Sequence, residues 1–257
     1  MDKSFLSDER VVTASRQFVC VRLSTYESQI EADFLKKIFV GRSGELENTT
    51  FAVLSPDTKR QLVAAGRAPH RFRNADQLAA RLEGIADRYP ASKTAQFTDP
   101  LPPQLDRVDL ALNVAACDTL PLIVTCLEDA NQRQVVEREL ARLAWTEALA
   151  GQFIYVATSN VRELQPLNGR DGQSSIMVVH PGPYGLTGRV IHQSKTVDAR
   201  FSRVLEQILA DFPRTPKNYR EHRSVGLQLG LNWETNIPAT DPQATRAKSR
   251  ARGRKAQ

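Results

Sequence analysis

The sequence predicts an α/β fold: two similar units, each a central mixed β-sheet flanked by helices, then a C-terminal strand and a basic tail. Three observations predict it. Short apolar runs of strand length alternate with stretches whose apolar residues recur every three or four positions. The order of these segments occurs twice along the 257 residues, with a proline-dense stretch between. The composition, 41% hydrophobic and 25% charged, is average for a globular chain. It excludes a collagen-like or largely disordered chain, and no apolar run approaches the length that spans a bilayer.

The first half opens with a helical pattern at Asp8–Arg16, followed by Phe18-Val19-Cys20-Val21-Arg22-Leu23, an apolar run read as a strand. In Ser28–Phe39, Ile30, Phe34 and Ile38 repeat every four residues, as on a helix that faces a core. Gly41, Gly44 and Asn48 mark a loop. Thr49–Leu54 reads as a strand, Ser55-Pro56-Asp57-Thr58 as a turn and Gln61–Ala65 as the hairpin partner. A helix at Asn74–Tyr89 closes the unit, with Leu78, Leu82, Ile85 and Ala86 on one face. Pro90, Pro100, Pro102 and Pro103 resist helix and central strand alike, so residues 91–105 read as a linker between a unit at 1–90 and a unit at 106–213.

The second half repeats the order. A helix at Asp106–Cys117 leads to a strand at Leu120–Cys126, then a long helix at Asn131–Ala150 with Val135, Leu140, Leu143 and Ala144 inward. Gln152–Ala157 is the next strand. Ser174–Val179 pairs with Gly188–His192 across His180–Gly185, and a helix at Val197–Phe212 closes the unit. Thr49–Pro90 and Ser174–Pro213 share the order strand, turn, strand, helix, aromatic, proline, which points to tandem copies of one unit.

Residues 214–240 read as an extension. Within it Val225, Leu227, Leu229, Leu231 and Trp233 alternate, the pattern of a half-buried strand. Such a strand needs a partner: either an open sheet edge of the first unit or the edge of another molecule. Residues 241–257 read as a disordered tail. Six of the 35 Lys and Arg residues lie in Arg246–Lys255, leaving 29 to face 29 Asp and Glu, so the net charge of +6 belongs to the tail. It is a solubilising terminus or a weak, salt-sensitive arm for a polyanion.

The order of elements and several residues resemble the thioredoxin-like family. Phe5-Leu6-Ser7-Asp8-Glu9-Arg10-Val11-Val12, followed by Phe18-Val19-Cys20-Val21-Arg22-Leu23, is similar to the segment after the family's redox motif. Phe51–Asp57, with Gly66-Arg67-Ala68-Pro69, is similar to its hairpin and the turn that follows. The resemblance covers residues 4–90 and, more loosely, 106–212. It implies two thioredoxin-like units, the first lacking its opening strand and motif.

The departures bear on activity. Enzymes of this family carry C-x-x-C at a helix start, where a thiolate is favoured. Here the matching segment is Cys126-Leu127-Glu128-Asp129-Ala130-Asn131-Gln132, with one cysteine beside two acids. The family's cis-proline is replaced at the matching positions by Thr49 and Ser174.

Cys126 is therefore a weak catalytic candidate, and Cys20, Cys117 and Cys126 are expected to fill core space, with a Cys117–Cys126 redox pair as the alternative. His70, His180, His192 and His222 are scattered. His180 and His192 flank one hairpin, close enough to face each other as a surface pair. No metal or cofactor motif stands out, and Gly41-Arg42-Ser43-Gly44 fits neither phosphate-binding pattern and reads as a helix-terminating loop.

The expected function is a non-catalytic thioredoxin-like protein that binds a protein or extended peptide, as adaptor, chaperone-like factor or complex subunit. A homodimer is a further expectation. The alternative is a thiol-disulfide oxidoreductase using one cysteine or a C-x-x-C outside this chain. Met1–Arg10 has no apolar signal core, so the chain as it stands reads as cytoplasmic, and as exported if a signal peptide precedes it.

Overall fold

A computed structural model of the chain describes residues 5–23, 25, 28–41, 46, 50–67, 72–90, 101–213 and 218–231. The chain divides into two compact units, Met1–Ala95 with Trp233–Gln257, and Gln96–Asn232. The fold is mixed α/β. No helix among the described residues is long and apolar enough to cross a membrane.

In the first unit, α1 (Glu9–Ser15) starts where the Asp8 side chain accepts from the Arg10 amide, and buries Val11 and Ala14. The helix α2 (Gln29–Ile38) is capped by Ser28 and buries Ala32. Strands β1 (Thr50–Leu54) and β2 (Gln61–Arg67) form an antiparallel hairpin. Its turn is closed by the Ser55 amide on the Arg60 carbonyl at 2.8 Å and by the Ser55 hydroxyl on Asp57. Helix α3 (Ala75–Ala86) packs Leu78, Leu82 and Ile85 against Val11, Ala14, Val53 and Val63, a small core on one face of the hairpin. Arg10 and Asp76 pair between α1 and α3.

Two expectations for this unit are corrected. Phe18–Leu23 is irregular, with Val19 74% and Val21 71% exposed, so it is not a strand. An apolar alternation becomes a strand only where a neighbouring strand takes its amides. The fourfold spacing in α2 does not mark the core side at its start, because Ile30 is 84% exposed and Ala32 is the buried residue.

The second unit has a six-stranded sheet in the order β3-β5-β4-β7-β8-β6. Its elements are β3 (Gln104–Leu105), α4 (Val108–Asp118), β4 (Leu122–Cys126), α5 (Ala130–Ala144), β5 (Ile154–Thr158), β6 (Leu167–Asn168), β7 (Ile176–Pro181), β8 (Gly188–Ser194) and α6 (Ala199–Asp211). Strands β3, β5 and β4 are parallel, while β7 is antiparallel to both β4 and β8. Leu122, Ile123 and Val124 of the inner strand are fully buried, as a strand covered on both faces requires. Leu112 and Ala115 of α4 meet Leu122, Val124, Met177 and Val179 on one face. Leu140 of α5 and Phe201 and Leu205 of α6 meet Ile123, Tyr155, Ile176 and Val178 on the other. The result is three layers, helix, sheet and helices.

Three further expectations change. The proline-dense stretch ends in a strand: β3 pairs with Tyr155 and Val156 as a two-residue edge, and the Trp145 indole N–H donates to the Leu101 carbonyl at 3.1 Å, tying down its approach. Helix α5 stops at Ala144, and Val136 turns inward while Val135 is 54% exposed. The alternating segment from Val225 is not a strand; it lies in a helix, α7 (Tyr219–Gln228). The Asn218 side chain caps that helix by accepting from the Glu221 amide. Leu231 leaves it, and Asn232 and Trp233 lie outside the described residues, as does the basic tail.

Candidate functional site

In open α/β sheets the carboxyl ends of the parallel strands gather the loops that bind ligands. Here that end of the second unit is made of Arg107 after β3, Cys126–Asp129 after β4, and Thr158–Leu164 after β5. The loop Gly169–Ser175, which leads into β7, joins them.

Hydrogen bonds fix these loops. The Cys126 amide donates to the Ser175 carbonyl at 2.8 Å, and the Leu127 amide to the Thr158 carbonyl at 3.2 Å. The Thr158 hydroxyl accepts from the Asn160 amide. In the loop before β7, Asp171 accepts from the amides of Gln173 and Ser174, both at 2.9 Å, and from the Ser174 hydroxyl at 2.7 Å. These donors hold its carboxyl below the usual range, the two amides first. The Gln193 side chain bridges back from β8, accepting from the Asp171 amide and donating to the Gly169 carbonyl. Gly169 and Gly172 adopt φ of +85° and +73°, which a side chain would resist.

Cys126 is half-buried at the last position of β4. Burial pushes its thiol pKa up, and the Glu128 carboxylate and Glu163 push the same way, while Arg170 opposes. Helix α5 does not help, because it starts at Ala130 and its first turn is capped by Asp129, whose carboxylate accepts from the Gln132 amide at 2.7 Å. Glu163 is half-buried, and its Oε2 is buried without a hydrogen-bond partner among the described residues. Arg107 forms two bonds to the Asp109 carboxylate, at 3.1 and 2.5 Å, which raise the basicity of its guanidinium. The arrangement favours a protonated thiol among fixed charges of both signs, with Val161 53% exposed at its rim.

The other expected residues are placed elsewhere. Cys20 and Cys117 are exposed, not core, and all three cysteines are free. Cys117 lies in the last turn of α4, which precedes β4, whereas Cys126 ends β4, so the two are separated by the length of a five-residue strand, about 13 Å. Their redox pair is not formed. Ser174 caps the loop described above, and no cis peptide occurs among the described residues; Thr49, His70 and Arg42–Gly44 lie outside them.

His180 and His192 do not face each other: His180 is opposite Arg189 and His192 opposite Val178. Each packs on a different aromatic ring near an end of α6, His180 on Phe212 at 4.9 Å and His192 on Phe201 at 6.0 Å. Among the described residues no group of three His, Cys, Asp or Glu side chains is placed to hold a metal ion.

Sequence reasoning missed Arg107, Glu163, Arg170 and Asp171. Arg107 had a usable signal, since it follows a strand, but that strand is two residues long and hidden among prolines. No family model, no curated protein and no solved structure matches this chain.

Proposed function

We propose that the second unit is a thioredoxin-like module that binds an extended protein segment at the carboxyl ends of β4 and β5, and that its cysteines carry out no disulfide exchange. The sheet order β3-β5-β4-β7-β8, three parallel strands followed by an antiparallel hairpin, supports the family reading. One observation carries the non-catalytic reading: the thiol of Cys126 is half-buried, its pKa is raised, and it precedes the start of α5 instead of capping it. A nucleophilic thiol needs the opposite surroundings. The rigid loop Gly169–Ser175 and exposed Val161 offer an ordered rim for a peptide, as expected of an adaptor, chaperone-like factor or complex subunit.

Thiol labelling at neutral pH tests this, native against denatured, with each modified cysteine identified by mass. Cys20 and Cys117 label in the native protein, and Cys126 labels at a rate below that of a free thiol. Fast native labelling of Cys126 restores the oxidoreductase reading. A separate contact is proposed for residues 245–257, where five basic residues alternate with small ones from Arg246 to Arg254. Binding to a polyanion through them weakens steeply as salt rises, and a salt-independent affinity excludes it.

A further inference from the structure

The last long strand of the second unit is paired along one side only. On that side β7 accompanies β8 from Gly188 to Ser194. On the other side β6 pairs with Gly188 and Arg189 and then ends, followed by Gly169 with φ +85°. Among the described residues no strand lies on that side of residues 191–194. No backbone hydrogen bond reaches these four residues there except through the β7 ladder. Exposure agrees. Ile176, Met177, Val178 and Val179 of the inner strand β7 are at most 2% exposed. Ile191, His192, Gln193 and Ser194 are all half-buried, although Val190 packs into the core on the α4 face and Ile191 into the core on the α6 face.

Charge marks both ends of this edge. Arg189 stands before it and Lys195 after it, both exposed, and Arg200 lies beside His192. The acids near these cations already serve the backbone. Asp171 accepts from the Gln173 and Ser174 amides, and Asp198 from the Phe201 amide at 2.8 Å and the Thr196 hydroxyl. The uncharged run between two cations disfavours a second copy of this chain. Antiparallel pairing of two β8 strands centred on His192 would set Arg189 against Lys195 of the other copy, and like charges opposed across strands repel.

We propose that residues 191–194 of β8 take an extended segment of another protein as an added strand, one with a short uncharged run between acidic residues about six positions apart. Backbone amides of the edge supply the affinity, and Arg189 and Lys195 select the acids. Acids at both ends suit either strand direction. This surface lies on the outer edge of the sheet and is independent of the rim at Cys126.

Selection of random peptides displayed on phage, with the full chain as target, tests the proposal. The recovered peptides are expected to carry acids at about that spacing. Made synthetically, they slow hydrogen exchange at residues 191–194 about tenfold or more, and leave β4 unchanged. Arg189→Glu/Lys195→Glu weakens them about tenfold or more, and binds the same peptides once their acids are replaced by lysine, a rescue that a misfolded variant cannot give. If the double variant loses α6 protection, Lys195→Glu alone decides. Recovery of no peptide, or of peptides without acids, overturns the proposal and leaves a guarded edge. Protection at Cys126–Asp129 in place of residues 191–194 overturns it and assigns the peptides to the rim. Exchange at residues 191–194 that slows with protein concentration alone overturns it in favour of a second copy.

Discussion

The Tyr184 ring lies on the His222 imidazole at 4.2 Å, and its hydroxyl donates to the His222 carbonyl at 3.2 Å. This contact joins the β7–β8 turn to α7. It also explains Gly226, one turn further along the helix, where a Cβ would stand 2.9 Å from the same ring. Tyr184→Ala removes a stacked pair and a hydrogen bond, together worth about 1–3 kcal/mol. The expected outcome is faster amide exchange and proteolysis in Tyr219–Gln228, with the protection of β4 unchanged. Gly226→Ala gives the same signature more weakly.

Two residues in αL-like conformations are expected to respond oppositely. Gly185 has φ +66°, and a Cβ there would lie 2.7 Å from the Leu112 carbonyl of α4. Gly185→Ala therefore costs about 3 kcal/mol or more, read as a lower urea midpoint. Thr119 ends α4 with φ 57° and ψ 48°, which a β-branched residue adopts at a cost. Thr119→Gly relieves that strain and is expected to gain about 0.5–1 kcal/mol in the same measurement.

The Tyr155 hydroxyl is buried with no hydrogen-bond partner among the described residues, in a residue 3% exposed. Its desolvation is not repaid, so Tyr155→Phe leaves stability unchanged or raises it by about 1 kcal/mol. Burial also pushes the pKa of this phenol far up. The folded state thus holds the proton more tightly than the unfolded state. Stability falls as pH rises beyond the ordinary tyrosine value of about 10. Denaturation midpoints between pH 9 and about 11 check this, with Tyr155→Phe showing the shallower decline.

For His192 the sign is reversed at the acid end. Burial first, then the Arg200 guanidinium, lowers its pKa below the ordinary value. The folded state favours the neutral ring on Phe201, so its contribution is full above pH about 6.5 and is lost as pH falls toward the lowered value. Thermal midpoints from pH 7.5 down to about 5 drop less in His192→Gln than in the unaltered protein. An equal drop would show that His192 does not carry the acid sensitivity.

The second unit was largely readable because its signals agree. Leu122–Val124 is a continuous apolar run, Asp129 and Asp198 cap the helices that follow strands, and the hairpin is bounded by glycines. Where the reading failed, two periods competed. Val225, Leu227 and Leu229 alternate, but Val225 and Leu229 also stand one helical turn apart. The cap Asn218, three residues before Glu221, favoured the helix. Phe18–Leu23 has a strand's composition but pairs with no strand among the described residues, and pairing is a property of the rest of the chain. The candidate site was half visible. Cys126 and its acidic neighbours stand in the sequence, but Arg170, Glu163 and Asp171 reach it through loops whose paths the sequence does not specify.

The two hairpin turns differ in how much they can be altered. The turn between β7 and β8 is held by α4 at Gly185 and by α7 at Tyr184, so it has no slack. The turn between β1 and β2 closes on itself around Ser55 and Asp57, reaches outward through the Arg60 guanidinium, which donates to the Tyr89 hydroxyl at 2.8 Å, and leaves Pro56–Arg60 exposed. An epitope tag, a fluorescent reporter or a new pair of chain ends belongs between Asp57 and Lys59. The same graft at Tyr184–Gly185 would prise two helices from the body that carries them.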